Sequence, residues 1–310
     1  GIQVRSIAHT TCAERIYTGR QGGTSPDMPT MIGFETAKDM PVPFLSINGP
    51  GWAGPLGAAV GRVGETGQLR TLIDPNRANF PLNFKPSATD EVDIENWHLA
   101  NAERLRAIRG SHGYNKNRIV DFEESLLRAD MLRDKGKNLD FGGGGLAGQL
   151  ATAASAFELG LSAVAMVDSG YVFDTHGGNI AQGPAQDAIL GAVRGFLTTL
   201  STKPGTTSGS NMLDETVVVI MSEMTRTPKL NGGQGKDHWP VGAALFRHGA
   251  GRTGASTRRG NPEKHEDQSH FHDHVDLLKD RYRICVQISS SVASAQSVFG
   301  SSAVRHVGMR

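Results

Sequence analysis

Two short polar stretches of the sequence combine an aspartate with a histidine. The first is Asp174-Thr175-His176, which two glycines follow, and the second is Asp237-His238. A carboxylate and an imidazole on one loop can reach the same divalent cation, and an adjacent carboxylate can instead orient an imidazole. Either stretch alone is also typical of an ordinary turn. Together they predict a metal site, with zinc as the first choice and manganese, magnesium or calcium as alternatives.

Two charged side chains follow the most apolar segment of the chain. Glu223 and Arg226 come shortly after residues 216–221, which read Thr-Val-Val-Val-Ile-Met. A carboxylate at the mouth of a buried strand needs a cation or a hydrogen-bond partner, so Glu223 is a further candidate metal ligand. Arg226 could be the ion-pair partner of Glu223. Alternatively, its guanidinium could hold a phosphate or sulfate group through two parallel hydrogen bonds.

The elements that must position these residues alternate between helix and strand. An Ala-rich helix (146–159), an apolar strand (161–167) and a helix (185–200) precede the strand at 216–221. This order predicts an α/β fold, a three-layer α/β/α sandwich with a largely parallel central sheet. Ligands of such sheets bind beyond the carboxyl ends of the strands. We therefore expect Asp174, His176 and His238 to converge to within about 5 Å, since zinc–ligand bonds are about 2 Å long.

The amino-terminal segment also combines a predicted strand, a polar turn and a predicted helix. Residues 2–8 alternate like a strand, the small polar turn His9-Thr10-Thr11-Cys12 follows, and a helix-capable stretch then ends near Gly19. Farther along, residues 93–109 and 120–135 show apolar positions at helical spacing with dense charge between them. We interpret those charges as solvated helix faces rather than as a binding patch.

Several of these motifs resemble one family. The run VVIMSEMTRTPKLN at 218–231, followed by GKDHWP at 235–240, closely resembles the hallmark of the domain-of-unknown-function 1501 family. Asp174-Thr175-His176 resembles the second hallmark of that family, and residues 6–19 are similar to its amino-terminal site segment. The resemblance covers roughly residues 1–241. It departs from the family at Met224-Thr225, where Phe-Gly is usual, and in lacking the early strand that carries an acidic metal ligand.

The resemblance implies a fold, a chemistry and a location. The family is similar to a divergent branch of the alkaline phosphatase and sulfatase superfamily, in which one or two divalent cations assist a Ser, Thr or modified Cys nucleophile. The resemblance therefore implies a metal-dependent hydrolase of phosphate or sulfate esters, acting on an anionic small-molecule or polymeric substrate. The nucleophile candidates are Thr11, then Thr10 and Cys12, with Ser6 less favoured. The resemblance also implies export to the periplasm or the extracellular space.

The composition argues against several other classes of protein. The 310 residues include 32 Lys+Arg and 31 Asp+Glu, and the resulting charge of +1 gives no general attraction to nucleic acid or anionic membranes. The basic stretch 247–264 has few aromatic residues for stacking on bases, so a nucleic-acid partner is not expected. No apolar run approaches the ~20 residues of a membrane span. The two cysteines define no disulfide framework, and no targeting segment follows Gly1.

The pattern changes after residue 241. We expect an alkaline-phosphatase-like domain over 1–241 and a divergent Gly-, His- and Ser-rich region over 242–310. Residues 247–276 should be exposed and irregular, and their cluster of four histidines should chelate metal only weakly; it comprises His265, His270, His272 and His274. The missing early strand and this divergent region leave the sheet's completeness open at both ends. They favour a rival hypothesis, a non-catalytic binding or assembly protein on the same fold. The sequence does not indicate an oligomeric state.

Overall fold

The computed structural model describes residues 2–37, 39–49, 51–63, 68–73, 87–110, 112–248 and 283–288. The strands of these ranges are Ile2–Gln3 (β1), Phe44–Ile47 (β2), Val60–Val63 (β3), Val164–Asp168 (β4), Thr216–Ser222 (β5), Thr225–Arg226 (β6), His238–Trp239 (β7), Val241–His248 (β8) and Arg283–Ile288 (β9). The helices are His9–Thr18 (α1), Met28–Thr36 (α2), Gln68–Ile73 (α3), Ala88–Arg109 (α4), Gly113–Gly136 (α5), Gly145–Glu158 (α6) and Gln182–Thr202 (α7), with a 3-10 helix at Gly54–Ala59.

Seven of the nine described strands form one mixed sheet in the order β1-β8-β5-β9-β4-β2-β3, and β6 pairs with β7 in a separate antiparallel pair. The five strands from β5 to β3 run parallel. Strand β8 is antiparallel to both β5 and β1, so β1 has the same direction as β5. The predicted α/β class with a largely parallel sheet is therefore confirmed.

Helices cover both faces of this sheet, so its inner strands are buried on both sides. Side chains alternate between the faces along each strand, and in β4 the side chain of Met166 joins the apolar cluster that contains Tyr17 of α1 and Ile32 of α2. The neighbouring Val167 joins the cluster of α6 and α7, which includes Phe157 and other buried side chains. The result is the predicted three-layer α/β/α arrangement.

The sheet extends beyond the predicted domain boundary at residue 241. Strand β8 begins at that residue and pairs with β5, and β9 lies between β4 and β5. The boundary therefore cuts through the sheet, and residues 247 and 248 are part of a strand rather than irregular. Among the described parallel strands, β5 directly follows β4 along the chain. The two are not neighbours in the sheet, because β9 lies between them. Residues 249–282, with the four histidines of the predicted weak cluster, lie outside the described ranges.

The predicted charged helices form the hairpin α4–α5, which is longer than the sequence pattern indicated. Helix α4 begins at a capping box, in which Asp90 N–H donates to Ser87 Oγ and Ser87 N–H donates to the Asp90 carboxylate. Such reciprocal bonds satisfy helix donors that otherwise have no partner. None of the helices in the described ranges combines the length and hydropathy that a bilayer crossing requires.

Glu215 is a buried carboxylate that fixes the turn leading into β5. Its oxygens accept hydrogen bonds from Ser210 Oγ, from the backbone N–H and hydroxyl of Thr206, and from the Thr207 N–H, over 2.5–2.9 Å. Burial opposes the charged form of Glu215, but these hydrogen bonds outweigh it and lower the pKa from its usual 4.5 to about 2. The charged carboxylate therefore stabilises the fold.

We expect Glu215→Gln to lower the free energy of unfolding at pH 7 by on the order of 3 kcal/mol. Because the folded-state pKa is depressed, this contribution is present above pH 4.5 and is lost as the pH falls toward 2. Urea unfolding at pH 7 and pH 3.5 measures the difference between wild type and variant, which should shrink at the lower pH. Glu158→Gln, which removes a surface ion pair with Lys203, is the control and should cost less than about 1 kcal/mol. A pH-independent difference at Glu215 would contradict this account.

Candidate metal centre

Three segments meet at the edge of the sheet where the parallel strands end. His9 is the first residue of α1, just after β1, and Asp174 and His176 lie in the loop after β4. Arg226 and His238 lie in the segment that connects β5 with the antiparallel β8. Since β1, β4 and β5 share one direction, their following residues lie on the same edge.

Four side-chain atoms converge at this edge. Asp174 Oδ1 lies 2.9 Å from His238 Nε2, 3.0 Å from His176 Nε2 and 3.6 Å from His9 Nε2. The Nε2 atoms of His176 and His238 are 3.0 Å apart. Ligands of one tetrahedral zinc ion, with bonds of about 2.0–2.1 Å, lie roughly 3.4 Å from one another. The predicted convergence of Asp174, His176 and His238 is therefore confirmed, and His9 joins it.

The ligand atoms of His9, Asp174 and His238 all lie within 4.8 Å of one another, so these three residues could hold one metal ion. His176 joins through its contacts with Asp174 and His238. The described residues thus contain a possible metal-binding site with up to three imidazoles and one carboxylate.

The Nδ1 atom of each of the three imidazoles contacts an oxygen atom. The Nδ1 contacts are His9 with Glu223 Oε1 (2.9 Å), His176 with Asp237 Oδ1 (3.0 Å) and His238 with the carbonyl oxygen of Ile7 (2.7 Å). Because carboxylate and carbonyl oxygens accept hydrogen bonds, each Nδ1 can carry the ring hydrogen, which leaves the Nε2 lone pair free for a cation when one is bound. The three Nε2 lone pairs and the Asp174 carboxylate then face one another, an arrangement that a cation stabilises.

The predicted ligands Glu223 and Asp237 act on this group through the imidazoles. Neither is among His9, Asp174 and His238, and each instead accepts a hydrogen bond from an imidazole Nδ1. Hydrogen bonds from His176 and then Asn231 lower the pKa of Asp237, so its carboxylate is charged and orients the His176 ring.

Arg226 pairs with Asp174. Its Nη2 lies 2.6 Å from Asp174 Oδ1, and its side chain is only 3% exposed. The alternative pairing with Glu223 is not observed, because Glu223 contacts His9. Burial opposes the charged form of Asp174, but its contacts with the His238 imidazole and the Arg226 guanidinium, together with the charge of Arg226, hold the pKa of this carboxyl well below its usual range. Within the described part of the chain, the buried Nε of Arg226 has no hydrogen-bond partner.

Backbone and side-chain hydrogen bonds join the two polar loops, the loop after β4 and the segment between β5 and β8. Lys236 N–H donates to the Thr175 carbonyl (2.9 Å), and Asn231 Nδ2 donates to both the His176 carbonyl and Asp237 Oδ1 (3.0 Å each). Gly235 makes this close approach possible, since a Cβ there would lie 2.0 Å from the His176 carbonyl oxygen.

We expect Gly235→Ala to separate the two loops and to weaken metal binding by about 10-fold or more, since misplacing a site by about 1 Å has effects of this size. Gly232→Ala is the matched control, because a Cβ at that position would meet no atom within 4 Å. Zinc titration of both variants against wild type measures the effect. Equal affinities for Gly235→Ala and wild type would contradict the proposed packing.

The nucleophile candidates lie beside His9 at the start of α1. Thr10 is exposed and Thr11 is half-buried. Cys12 is buried, and its Sγ donates a hydrogen bond to the Ser6 carbonyl at 3.2 Å. Burial raises the pKa of the Cys12 thiol, more than its hydrogen bond with Ser6 lowers it. The structure therefore disfavours Cys12, which is free, as the reactive group.

Sequence reasoning did not identify His9 as a ligand. Its only signal was its position, in a polar turn between a predicted strand and a predicted helix. No acidic residue adjoins it in the sequence, and its carboxylate partner Glu223 is 214 positions away. Only the parallel directions of β1 and β5 bring the two together.

The comparisons with known proteins give a family and nothing finer. A family model described as "Protein of unknown function (DUF1501)" matches residues 84–277, more than half of the chain. The match includes Asp174, His176, Arg226 and His238, whereas His9 precedes it. No curated protein and no solved structure matches the chain.

Proposed function

The chain belongs to the DUF1501 family, and we propose that it is a metal-dependent hydrolase of phosphate or sulfate esters. In this proposal a divalent cation, zinc by preference, is held by His9, Asp174, His176 and His238. The observation that carries the proposal is the convergence of three imidazole Nε2 atoms on one carboxylate oxygen, with every Nδ1 fixed by an oxygen acceptor.

The chemistry of the ligands supports zinc. Imidazole suits zinc and other late transition metals, whereas magnesium and calcium prefer oxygen ligands. A cation in this position would polarise the ester and lower the pKa of a nearby hydroxyl or water. These two effects are what hydrolysis of a phosphate or sulfate ester requires. The resemblance to the alkaline phosphatase and sulfatase superfamily agrees with this chemistry.

Positive charge around the centre supports an anionic substrate. Helix α1 begins at His9, and no side chain caps its amino end, so the partial positive charge of the helix terminus lies beside the cation ligands. Arg226 adds the positive charge of a buried guanidinium beside Asp174, which favours an anionic ester at the centre. We propose Thr11 as the first candidate nucleophile and Thr10 as the second, since both belong to the first turn of α1.

The direct test is a panel of nitrophenyl esters. Phosphate monoesters, phosphate diesters and sulfates are assayed with metal-free protein after addition of zinc, manganese, magnesium or calcium. We expect hydrolysis of at least one ester, highest with zinc and absent after chelation. Folded, metal-loaded protein that is inactive on every ester would support the rival hypothesis of a non-catalytic binding or assembly protein.

We expect Asp237→Asn to weaken metal binding by about 10–100-fold and to lower activity with it, which is the usual effect of losing the partner of a ligating histidine. The variant removes the charge that orients His176 without altering a converging atom. Asp134→Asn, on an exposed position of α5, is the control and should change neither quantity. Undiminished metal affinity in Asp237→Asn would show that His176 needs no carboxylate partner.

A further inference from the structure

Large apolar side chains stand exposed on the same segments that carry the metal centre. Val172 is 81% exposed and Ile180 is 92% exposed, both in the loop that contains Asp174. We call the full set the apolar rim, and its members are Ile7, Tyr171, Val172, Ile180, Leu230 and Trp239. Single exposed apolar residues are ordinary on protein surfaces, but these six are gathered on the site segments.

Residues of the apolar rim, or their neighbours in the chain, make hydrogen bonds with residues of the metal centre. The carbonyl oxygen of Ile7 accepts the hydrogen bond from His238 Nδ1, and Trp239 directly follows His238. Leu230 precedes Asn231, whose side chain donates to the His176 carbonyl.

The two most exposed members belong to the loop that supplies Asp174. Val172 lies two residues before Asp174. Ile180 follows Asn179, whose N–H donates to the Gln234 carbonyl (2.9 Å) and so joins this loop to the segment of His238. The residues of the rim therefore belong to all three segments that carry the metal centre.

We infer that the site takes an amphiphilic ester, in which an anionic phosphate or sulfate head is joined to an alkyl or aryl group that the apolar rim covers. This inference rests on the proposed function and narrows its substrate class. The cation ligands and Arg226 provide charge complementarity for the head only. An apolar substituent would remove the rim from water, which is favourable in proportion to the area covered. A small, fully polar ester would leave the rim exposed.

Binding of alkylphosphonates tests the inference without requiring hydrolysis, since their carbon–phosphorus bond is not an ester. Dissociation constants of methyl-, butyl- and octylphosphonate for the zinc-loaded full chain are measured by calorimetry below the micelle concentration, with alkylsulfonates as a parallel series. We expect affinity to rise about two- to fourfold per added methylene, as for methylenes that leave water. Octylphosphonate should then bind at least ~10-fold more tightly than butylphosphonate.

Two double variants distinguish the rim from general hydrophobicity. Val172→Ser with Ile180→Ser should flatten the dependence on chain length and leave methylphosphonate binding unchanged. Ile108→Ser with Leu127→Ser alters two other exposed apolar side chains, on the α4–α5 hairpin, and should keep the wild-type dependence. All four positions are exposed, so both variants should fold normally.

Length-independent affinity, or a length dependence that survives in the rim variant or without zinc, would overturn the inference. Light scattering covers the alternative occupant: a wild-type dimer that the rim variant converts to a monomer would identify the rim as a self-association surface, also overturning it. If affinity rose steeply with alkyl chain length but no ester were hydrolysed, only the proposed function would be contradicted. If an ester were hydrolysed but affinity did not depend on chain length, only this inference would be contradicted.

Discussion

Replacing His238 with alanine is expected to lower the affinity of the chain for Zn²⁺ by at least about 100-fold, because removing even the supporting partner of a ligand costs about 10–100-fold. His238 Nε2 lies within 3.0 Å of both Asp174 Oδ1 and His176 Nε2, and the His238 ring also contacts the ring of His9, with the centroids 4.5 Å apart. Competition with a chromophoric chelator measures the affinity. Any metal-dependent ester hydrolysis should disappear with it.

His98→Ala provides the control for this experiment. His98 lies on α4, where its ring contacts Trp97 and Phe122 and takes no part in the converging group. We expect this variant to bind zinc as the wild type does. If His238→Ala kept its affinity while remaining folded, the assignment of the metal centre would be wrong.

Replacing Phe157 with alanine is expected to lower the free energy of unfolding by about 3–5 kcal/mol, the usual cost of emptying a buried aromatic site. Phe157 is fully buried in α6, in the apolar cluster that joins α6 and α7 to the sheet. These elements flank the loop of Asp174 and His176. A loss of this size is a large part of the stability of an ordinary domain, and denaturant unfolding measures it.

Phe122→Ala removes the same side chain from a position on α5 that is partly open to solvent. It should cost clearly less, because the lost apolar burial is smaller. A similar cost for the two variants would show that Phe157 does not belong to a tightly packed core. Zinc affinity should survive in any fraction of the Phe157 variant that remains folded.

The convergence of Asp174, His176 and His238 could be predicted because it depends on local patterns. Each apolar run that precedes a polar loop has the length and composition of a buried strand, and parallel strands place their following loops on one edge. The sequence therefore predicted that the two loops meet, although it did not predict the order of the strands in the sheet. It also predicted the helices that flank β4, since their apolar spacing is regular.

The contributions of β8 and β9 could not be predicted in the same way. Strand β9 lies between β4 and β5, although 60 residues separate the end of β5 from its start. Neither charge nor periodicity in that interval indicated a return to the centre of the sheet. Pairing over such a distance is decided by the whole fold rather than by a local pattern.

The division of roles among the polar residues was also beyond the sequence. Glu223 and Asp237 are chemically as suitable for a cation as Asp174, and their types alone could not show that they hold His9 and His176. Which oxygen faces the cation and which faces an imidazole is set by distances of a few ångströms between remote segments.

X-ray absorption at the zinc edge tests the central claim most directly. The sample is the full chain with one equivalent of zinc, carrying His265, His270, His272 and His274 replaced by alanine so that the carboxyl-terminal histidines cannot compete. The account predicts nitrogen and oxygen ligands at about 2.0–2.2 Å, with the scattering pattern of two or three imidazoles. This pattern should be lost when His9 and His238 are also replaced. A sulfur shell near 2.3 Å, or an imidazole pattern unchanged by those two replacements, would contradict it.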